Sequence, residues 1–272
     1  DLPSALLRTD IATPAYVIDV AKLKANMKAA ERVRREAGCK VLLATKAFAM
    51  PAAFPFMAPH LDGTTASGLF EAKLAKETFR APASFGGRPP ARPVQDGGEK
   101  EVHCYSPAYT AEELAGLKGV ATHVYFNSRR QLERWREPAL AQGHHIGLRI
   151  NPGVSNATLG GDLYDPCAPH SRFGEVAGEL DAASWSGVHT LHAHALCESG
   201  ADGSQALIER IARDFAPYVR QVQAVNFGGG HFLNKPGYDL DALIQALAAF
   251  RRQFGVETYI EPGGGLVVDA GY

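Results

Sequence analysis

The sequence lacks the features that would assign a protein to a membrane, to nucleic acid or to secretion. Its 272 residues carry a formal net charge of -1, which gives no electrostatic reason to expect a nucleic acid or an anionic membrane as partner. No apolar run approaches the roughly 20 residues that are needed to cross a bilayer. The N-terminal residues do not follow the charged-then-apolar layout of a signal peptide. We therefore expect a cytoplasmic protein without nucleic-acid or membrane partners.

Cysteine is also scarce, and no CxxC spacing occurs among its four positions, which are Cys39, Cys104, Cys167 and Cys197. Scattered cysteines fit the reduced thiols of a cytosolic protein better than a disulfide framework. The rest of the composition, with 46% hydrophobic and 21% charged residues, is typical of globular proteins. The length suits one barrel-sized domain or two small domains.

Short apolar segments that read as strands alternate with segments of helical periodicity along most of the chain. The strand segments are Val41–Leu43, Asp62–Ser67, Val102–Tyr105, His123–Phe126, His145–Ile150, Trp185–His194, Val222–Phe227 and Thr258–Ile260. Eight strands that alternate with helices predict an α/β fold, the (β/α)8 TIM barrel, whose active sites gather at the C-terminal ends of the strands. The stretch Arg80 to Gly98 interrupts this pattern with prolines and paired glycines, and we interpret it as a mobile surface insertion.

Lys46 follows the first strand segment within the stretch Val41–Ala49, at the expected mouth of the barrel. Desolvation at such a position lowers the pKa of an amine and makes it a candidate for Schiff-base chemistry. A lysine that extends from a strand end into solvent is the alternative interpretation.

Two further strand ends carry groups that complement an amine. Gly228, Gly229 and Gly230 follow a strand and offer consecutive backbone N–H groups, which can bind a phosphate or can simply form a turn. Glu261 ends the last strand and places a carboxylate at the mouth. An amine, a phosphate-binding loop and an acid at one mouth are what pyridoxal 5'-phosphate (PLP) requires.

The string His192-x-His194-x-x-Cys197-Glu198 has a competing interpretation as a metal site, because all three residue types bind metals. Alternation along a strand puts His192 and His194 on the same face. No second ligand pair with compact spacing is apparent in the sequence, so we favour a core or ring-stacking histidine and expect no metal.

Eight strings of the sequence resemble the fold-type III PLP-dependent decarboxylases, which share an alanine racemase-like barrel, and within them the carboxynorspermidine/carboxyspermidine decarboxylases. The strings are Thr13–Asp19, Leu42–Ala49, Leu61–Ser67, Tyr105–Tyr109, Leu163–Pro169, His194–Glu198, Asn226–His231 and Glu261–Gly263. The resemblance covers almost the whole chain apart from the insertion. The Leu163–Pro169 and His194–Glu198 strings separate this branch from the diaminopimelate and ornithine decarboxylases.

The resemblance implies PLP as cofactor and a role for each site residue. The implied catalytic residues are Lys46, which carries the cofactor, His194, which stacks on its ring, and Glu261, which pairs with its ring nitrogen. The implied cofactor-binding residues are Lys46, Arg149, His194, Gly228, Gly229, Gly230 and Glu261, and the implied substrate-binding residues are Cys197 and Glu198. The family also has Glu-Ala where this chain has Gly264 and Gly265.

The implied activity is decarboxylation of carboxynorspermidine or carboxyspermidine to norspermidine or spermidine in polyamine biosynthesis, by a PLP-dependent carboxy-lyase that is a homodimer when complete. Two alternatives stay open. One is another amino-acid decarboxylase of the same fold, such as a diaminopimelate decarboxylase. The other is a non-catalytic PLP-binding barrel.

The resemblance further implies that the chain is divided into three segments. Residues 1–19 are expected to be an N-terminal strand segment that pairs with a C-terminal β-domain. Residues 20–265 are the PLP-binding barrel, with its insertion at 80–98. Residues 266–272 are expected to begin the family's C-terminal β-domain, and we expect the remainder of that domain to be missing from this chain. The strand Ala15 to Ile18 is then expected to lack its pairing partners.

Overall fold

The computed structural model of the protein describes residues 12–80, 99–155, 165–181 and 185–272. Eight parallel strands form a closed barrel in chain order, in which the first strand pairs with the eighth. They are β1 Lys40–Ala44, β2 Gly63–Ala66, β3 Glu101–Tyr105, β4 His123–Phe126, β5 His145–Arg149, β6 Val188–His192, β7 Ala224–Asn226 and β8 Glu257–Ile260. The predicted (β/α)8 barrel is confirmed. Residues 81–98 of the insertion lie outside the described residues, as do Leu163 and Tyr164.

Helices alternate with the strands on the outside of the barrel. They are α1 Val20–Arg32, α2 Phe54–Met57, α3 Leu69–Thr78, α4 Ala111–Gly116, α5 Arg129–Ala141, α6 Ala201–Asp214, α7 Ala216–Val219 and α8 Leu240–Phe254. In α1, the Asp19 side chain accepts from the N–H groups of Ala21 and Lys22, which caps the first turn. Gly38 ends the following π-helical turn at φ 65°, a left-handed conformation that suits glycine. The one-turn helix α2 was not predicted, because four residues are too few to show a helical period.

The interior of the barrel is filled by large polar and aromatic side chains. Tyr125 and Tyr259 are almost completely buried there. Gly147 lies beside Tyr125, and a Cβ at that position would come within 1.9 Å of the tyrosine ring. The absence of a side chain at Gly147 therefore makes room for the Tyr125 ring. The apolar core lies instead between the strands and the surrounding helices.

The N-terminal segment pairs with the end of the chain. Val17 and Tyr272 exchange two backbone hydrogen bonds, and Asp19 donates to the carbonyl of Ala270. The expectation that Ala15 to Ile18 lacks partners is therefore wrong for its last two residues, because Ile18 bridges Gly271 in antiparallel register. The boundaries at 19 and 265 stay predictions. None of the described helices is long and apolar enough to cross a bilayer.

Candidate active site

A cavity of about 660 Å³ opens at the C-terminal end of the barrel. Its volume lies within the range of about 300–1,000 Å³ that is common for small-ligand sites. Eight of the nine predicted site residues line it, namely Lys46, Arg149, His194, Cys197, Glu198, Gly229, Gly230 and Glu261. The ninth, Gly228, is buried beside them. The barrel therefore collects residues that are up to 215 positions apart in the sequence, between Lys46 and Glu261.

Lys46 lies in the turn after β1, with its side chain exposed at the mouth. Its Nζ is 3.4 Å from Nε2 of His194. The Gly229 N–H donates to Nδ1 of His194 at 2.9 Å, so the proton of the neutral ring sits on Nε2 and faces the lysine amine. Burial, and then the charge of Lys46, lowers the pKa of His194 well below its usual value. The expectation that Lys46 is desolvated is wrong, because β1 ends at Ala44 and the lysine extends beyond the packed interior.

Glu261 follows β8 and is buried, with 6% of its surface exposed. Asn226 donates from Nδ2 to Oε1 of Glu261 at 2.7 Å, and Nε2 of His192 lies 3.6 Å from Oε2. Burial by itself raises the pKa of this carboxyl, but the facing His192 ring brings it below the usual range. The group is therefore an ionised carboxylate at neutral pH. Such a carboxylate can accept a strong hydrogen bond from a protonated ring nitrogen.

His192 is a buried imidazole that lines the cavity and turns Nε2 towards Oε2 of Glu261, 3.6 Å away. Neither ring nitrogen has a hydrogen-bond partner within the described part of the chain. Burial lowers the pKa of His192, which keeps the ring neutral. Buried polar groups are normally hydrogen-bonded. Nδ1 of His192 therefore remains available to a polar ligand group at the cavity wall, while Nε2 faces Glu261.

Arg149 ends β5 and is held rigidly by its neighbours. Its guanidinium lies between the rings of Tyr105 and Phe173, at 4.7 Å from each centroid. Its Nη1 donates to the Tyr105 hydroxyl at 2.5 Å, and its Nη2 donates to the carbonyl of His194 at 3.0 Å. Arg149 therefore fixes the backbone from which the His194 ring projects.

The glycine loop differs in detail from the predicted row of three open N–H groups. The Gly228 N–H donates to Asn226, and the Gly229 N–H donates to His194. For the N–H of Gly230, no acceptor is found among the residues that the structure describes. A Cβ at Gly230 would come within 2.3 Å of the Leu196 carbonyl, and φ is +91°. The loop thus presents one open N–H and a bare backbone surface to the cavity.

Cys197 and Glu198 lie on the loop after β6. Cys197 is half-buried, and Glu198 is exposed with φ 46°. The next residue, Ser199, donates its N–H to Gly230 and accepts from the N–H of Phe232. This pairing with the glycine loop fixes the backbone next to Glu198 at the edge of the cavity.

Sequence reasoning missed two residues that organise the site. Asn226 accepts from Gly228 and donates to Glu261, which ties the ends of β7 and β8 together. Glu71 accepts from the Thr45 hydroxyl at 2.7 Å and from the Ser67 N–H at 2.9 Å, which anchors the turn that carries Lys46. A polar residue between Val225 and Phe227 was the available signal for Asn226. No sequence signal pointed to Glu71, because its partners come from two other turns.

The residues of the cavity fit PLP. An exposed amine, a buried carboxylate, a buried imidazole with an available Nδ1 and an open backbone N–H surround a volume of suitable size. These are the groups that a pyridine ring with an aldehyde and a phosphate requires. The predicted set of residues is thus brought together, while the role of each residue remains a prediction.

No protein-family model matches the chain. The chain is 36% identical over 253 residues to the carboxynorspermidine/carboxyspermidine decarboxylase of Campylobacter jejuni. This alignment covers 93% of the chain and 60% of that relative. It is 33% identical over 265 residues to the carboxyaminopropylagmatine decarboxylase of Synechocystis sp., in an alignment that covers 97% of the chain and 63% of that relative.

A solved structure is similar along the same length. The carboxynorspermidine decarboxylase of Campylobacter jejuni, complexed with norspermidine, matches with a TM-score of 0.80 and 33% identity, over 96% of this chain and 62% of that chain. The chain thus spans somewhat under two thirds of the length of these relatives. Over almost its whole length the chain is thus similar, in sequence and in its closed barrel, to the carboxynorspermidine/carboxyspermidine decarboxylases.

Proposed function

We propose that the protein to which this barrel belongs decarboxylates carboxynorspermidine or carboxyspermidine with PLP, in polyamine biosynthesis. The observation that carries the proposal is one cavity in which Lys46, His194 and Glu261 meet, in a chain 36% identical to a decarboxylase of that substrate class. When bound, PLP supplies an electron sink for the electron pair that the departing CO2 leaves behind.

The chain's own residues perform the remaining tasks. Lys46 would supply the amine that holds the cofactor, and its Nζ, beside His194, would hold or move a proton. The neutral ring of His194, fixed by Gly229 and by the Arg149 contact to its carbonyl, packs against the cofactor ring. The carboxylate of Glu261 keeps the ring nitrogen protonated. The open N–H of Gly230 binds the phosphate.

The charges of the cavity favour a substrate whose far end is cationic. Among the described residues that line it, the cationic side chains are Lys46 and Arg149, and Arg149 is already occupied by Tyr105 and His194. Nη1 and Nη2 of Arg149 are thus engaged within the site, and Nε is its donor without a partner among the described residues. Glu198 offers a carboxylate at the edge, where the ammonium groups of a polyamine can pair with it, and Cys197 lies beside it.

We further infer that the whole protein is a cytoplasmic homodimer. The chain spans under two thirds of its relatives' length, and the antiparallel pairing of Ile18 with Gly271 fits a β-structure that begins at the end of the barrel. Additional residues from that structure and from a second subunit would then complete the cavity.

The test is CO2 release from purified protein with saturating PLP. Carboxynorspermidine and carboxyspermidine are compared with carboxyaminopropylagmatine and diaminopimelate. The proposal expects kcat/KM for one of the first two to exceed that for diaminopimelate by at least about a hundredfold. A preference for diaminopimelate contradicts the substrate class. Preference for carboxyaminopropylagmatine, the substrate named for the Synechocystis relative, retains the chemistry and changes the substrate. PLP binding without CO2 release from any of them supports the non-catalytic alternative.

A further inference from the structure

A second cluster of titratable side chains lies at the N-terminal end of the barrel, opposite the cavity. The rings of four histidines lie in contact there, in the order His103, His123, His145 and His189. Centroid separations are 3.9 Å between His103 and His123, 4.8 Å between His123 and His145, and 4.4 Å between His145 and His189. The proposed decarboxylation uses none of these rings, so the cluster needs an explanation of its own.

Three members of this region bring metal-binding atoms together. One ligand atom each from Glu101, His103 and His123 lies within 4.8 Å of the others. The shortest separation is 2.8 Å, between Nε2 of His103 and Oε2 of Glu101. Two ligands of one tetrahedral Zn²⁺ ion, each roughly 2.0–2.2 Å from it, lie about 3.4 Å apart. The pair is close to that spacing, and a ligand nitrogen of His123 lies within 4.8 Å of both atoms.

The remaining nitrogen of each ring is held in the way that metal ligands usually are. Nδ1 of His103 is hydrogen-bonded to the Tyr125 hydroxyl at 2.7 Å. Nδ1 of His123 is hydrogen-bonded to the Thr122 hydroxyl at 2.9 Å. Such second contacts fix the ring orientation and leave the other nitrogen for the ion. Both rings are buried, with 0% and 4% of their surfaces exposed, so they have little freedom to move away.

We propose that Glu101, His103 and His123 form a binding site for a transition-metal ion, with Zn²⁺ as the best match. Two imidazoles and one carboxylate are a ligand set that Zn²⁺ uses in proteins, whereas Mg²⁺ and Ca²⁺ prefer oxygen ligands only. The first residues of β3 and β4 provide Glu101 and His123, so an ion there joins two neighbouring strands at the end of the barrel. Access is from solvent, because the side chain of Glu101 is 21% exposed.

Lys40 gives the proposal a sharp test. Its Nζ lies 2.8 Å from Oε1 of Glu101, 3.2 Å from Oε2 of Glu257 and 3.1 Å from the Tyr259 hydroxyl. An ammonium bound to the proposed ligand repels a divalent ion and competes with it for the carboxylate. Removing the lysine charge therefore strengthens metal binding, while removing a ligand weakens it. A cluster that serves only packing predicts neither effect.

The experiment is a Zn²⁺ titration of the purified, chelator-treated chain against a chromophoric competitor, with Co²⁺ as a spectroscopic probe. The parent binds one Zn²⁺ in this cluster. Glu101→Gln and His123→Asn weaken that binding at least about tenfold, and Lys40→Met strengthens it by about tenfold or more. His145→Asn is the matched control, since it removes an exposed histidine of the same cluster that lies outside the ligand set. It retains the parent affinity, and Mg²⁺ does not compete.

A stability measurement accompanies the titration. An ion that binds only the folded state at about a hundred times its Kd raises Tm by about 5–10 °C in a chain of this size. Glu101→Gln loses this shift, and circular dichroism shows whether each variant is folded. The assignment is overturned if the parent binds no Zn²⁺, if Glu101→Gln and His123→Asn bind it as the parent does, or if His145→Asn weakens binding as much as His123→Asn. Decarboxylation is not the readout, so this result and the proposed function fail independently.

Discussion

The most informative substitution at the cavity is Glu261→Gln. Glutamine keeps the size of the side chain and retains an oxygen that accepts from Nδ2 of Asn226, the 2.7 Å contact that positions the group. It removes the negative charge. Because Glu261 is 6% exposed, water cannot replace that charge, and His192 is neutral since burial lowers its pKa. We expect the substitution to weaken protonation of the cofactor's ring nitrogen without disturbing the fold.

The size of the effect follows from the kind of contact that is lost. A hydrogen bond to a buried charged group contributes roughly 1.5–3 kcal/mol. If the contact is strongest when the ring carries the electron pair from CO2 loss, this energy appears in the activation barrier. The rate of CO2 release at saturating substrate should therefore fall about ten- to a hundredfold. The Kd for PLP should change by less than about tenfold, because the covalent bond to Lys46 and the contact with Gly230 remain.

The assay is single-turnover CO2 release at saturating PLP, with cofactor affinity measured separately from absorbance. Glu198→Gln is the matched control, because it removes an exposed carboxylate from the lining of the same cavity. It should raise KM and leave the rate of the chemical step within about threefold. If Glu261→Gln releases CO2 at the parent rate, the ring nitrogen has a different partner and the proposed orientation of the cofactor is wrong.

Other predictions concern the covalent attachment, the glycine loop, pH and assembly. Borohydride reduction of the PLP-loaded protein should label Lys46, and Lys46→Ala should abolish the label; a label on another lysine contradicts the assignment. Gly230→Ala should reduce PLP affinity and Tm more than Gly237→Ala. Both glycines have positive φ, but only a Cβ at Gly230 comes within 2.3 Å of another backbone atom. Equal losses in the two variants would show that backbone strain at positive φ is the whole effect. Burial lowers the pKa of His231 to about 4 from an ordinary 6.5. As pH drops from about 6.5 to about 4, the unfolded state therefore binds the proton first, and the free energy of unfolding falls by up to about 3 kcal/mol. Urea unfolding at pH 7 and pH 5 should show a smaller difference in the free energy of unfolding for His231→Asn than for the parent. Analytical ultracentrifugation should find a stable dimer for a chain extended as its relatives are, and a less stable one for the 272 residues alone; a fully active, monodisperse short chain contradicts this.

Much of the barrel was predictable because its signals are local. The apolar runs at Val41–Leu43 and His123–Phe126 are too short for helices and are buried in strands β1 and β4. The helices Leu69–Thr78 and Arg129–Ala141 lie between the predicted strands, where the sequence shows the expected helical periodicity. The parallel topology then places every strand end at one mouth, which is why the site residues could be proposed together.

The parts that sequence analysis did not predict depend on contacts between distant segments. Asn226 and Glu71 are ordinary polar residues in the sequence, and only the closed barrel puts them against Glu261 and Thr45. The spacing Glu101-x-His103 was available as a ligand pair and was overlooked, because His123 joins it only through the adjacent register of β3 and β4.

The sequence by itself thus determined the order of strands and helices and the residue types at the strand ends, since periodicity, capping and strand-end position are properties of neighbouring residues. Only the tertiary structure decided which side chains are exposed, paired or uncompensated. It left Lys46 in solvent, Nδ1 of His192 without a partner among the described residues and the Gly228 and Gly229 N–H groups occupied. The physical reason is that burial and hydrogen bonding at the mouth depend on all eight strands closing at once, and no local segment carries that information.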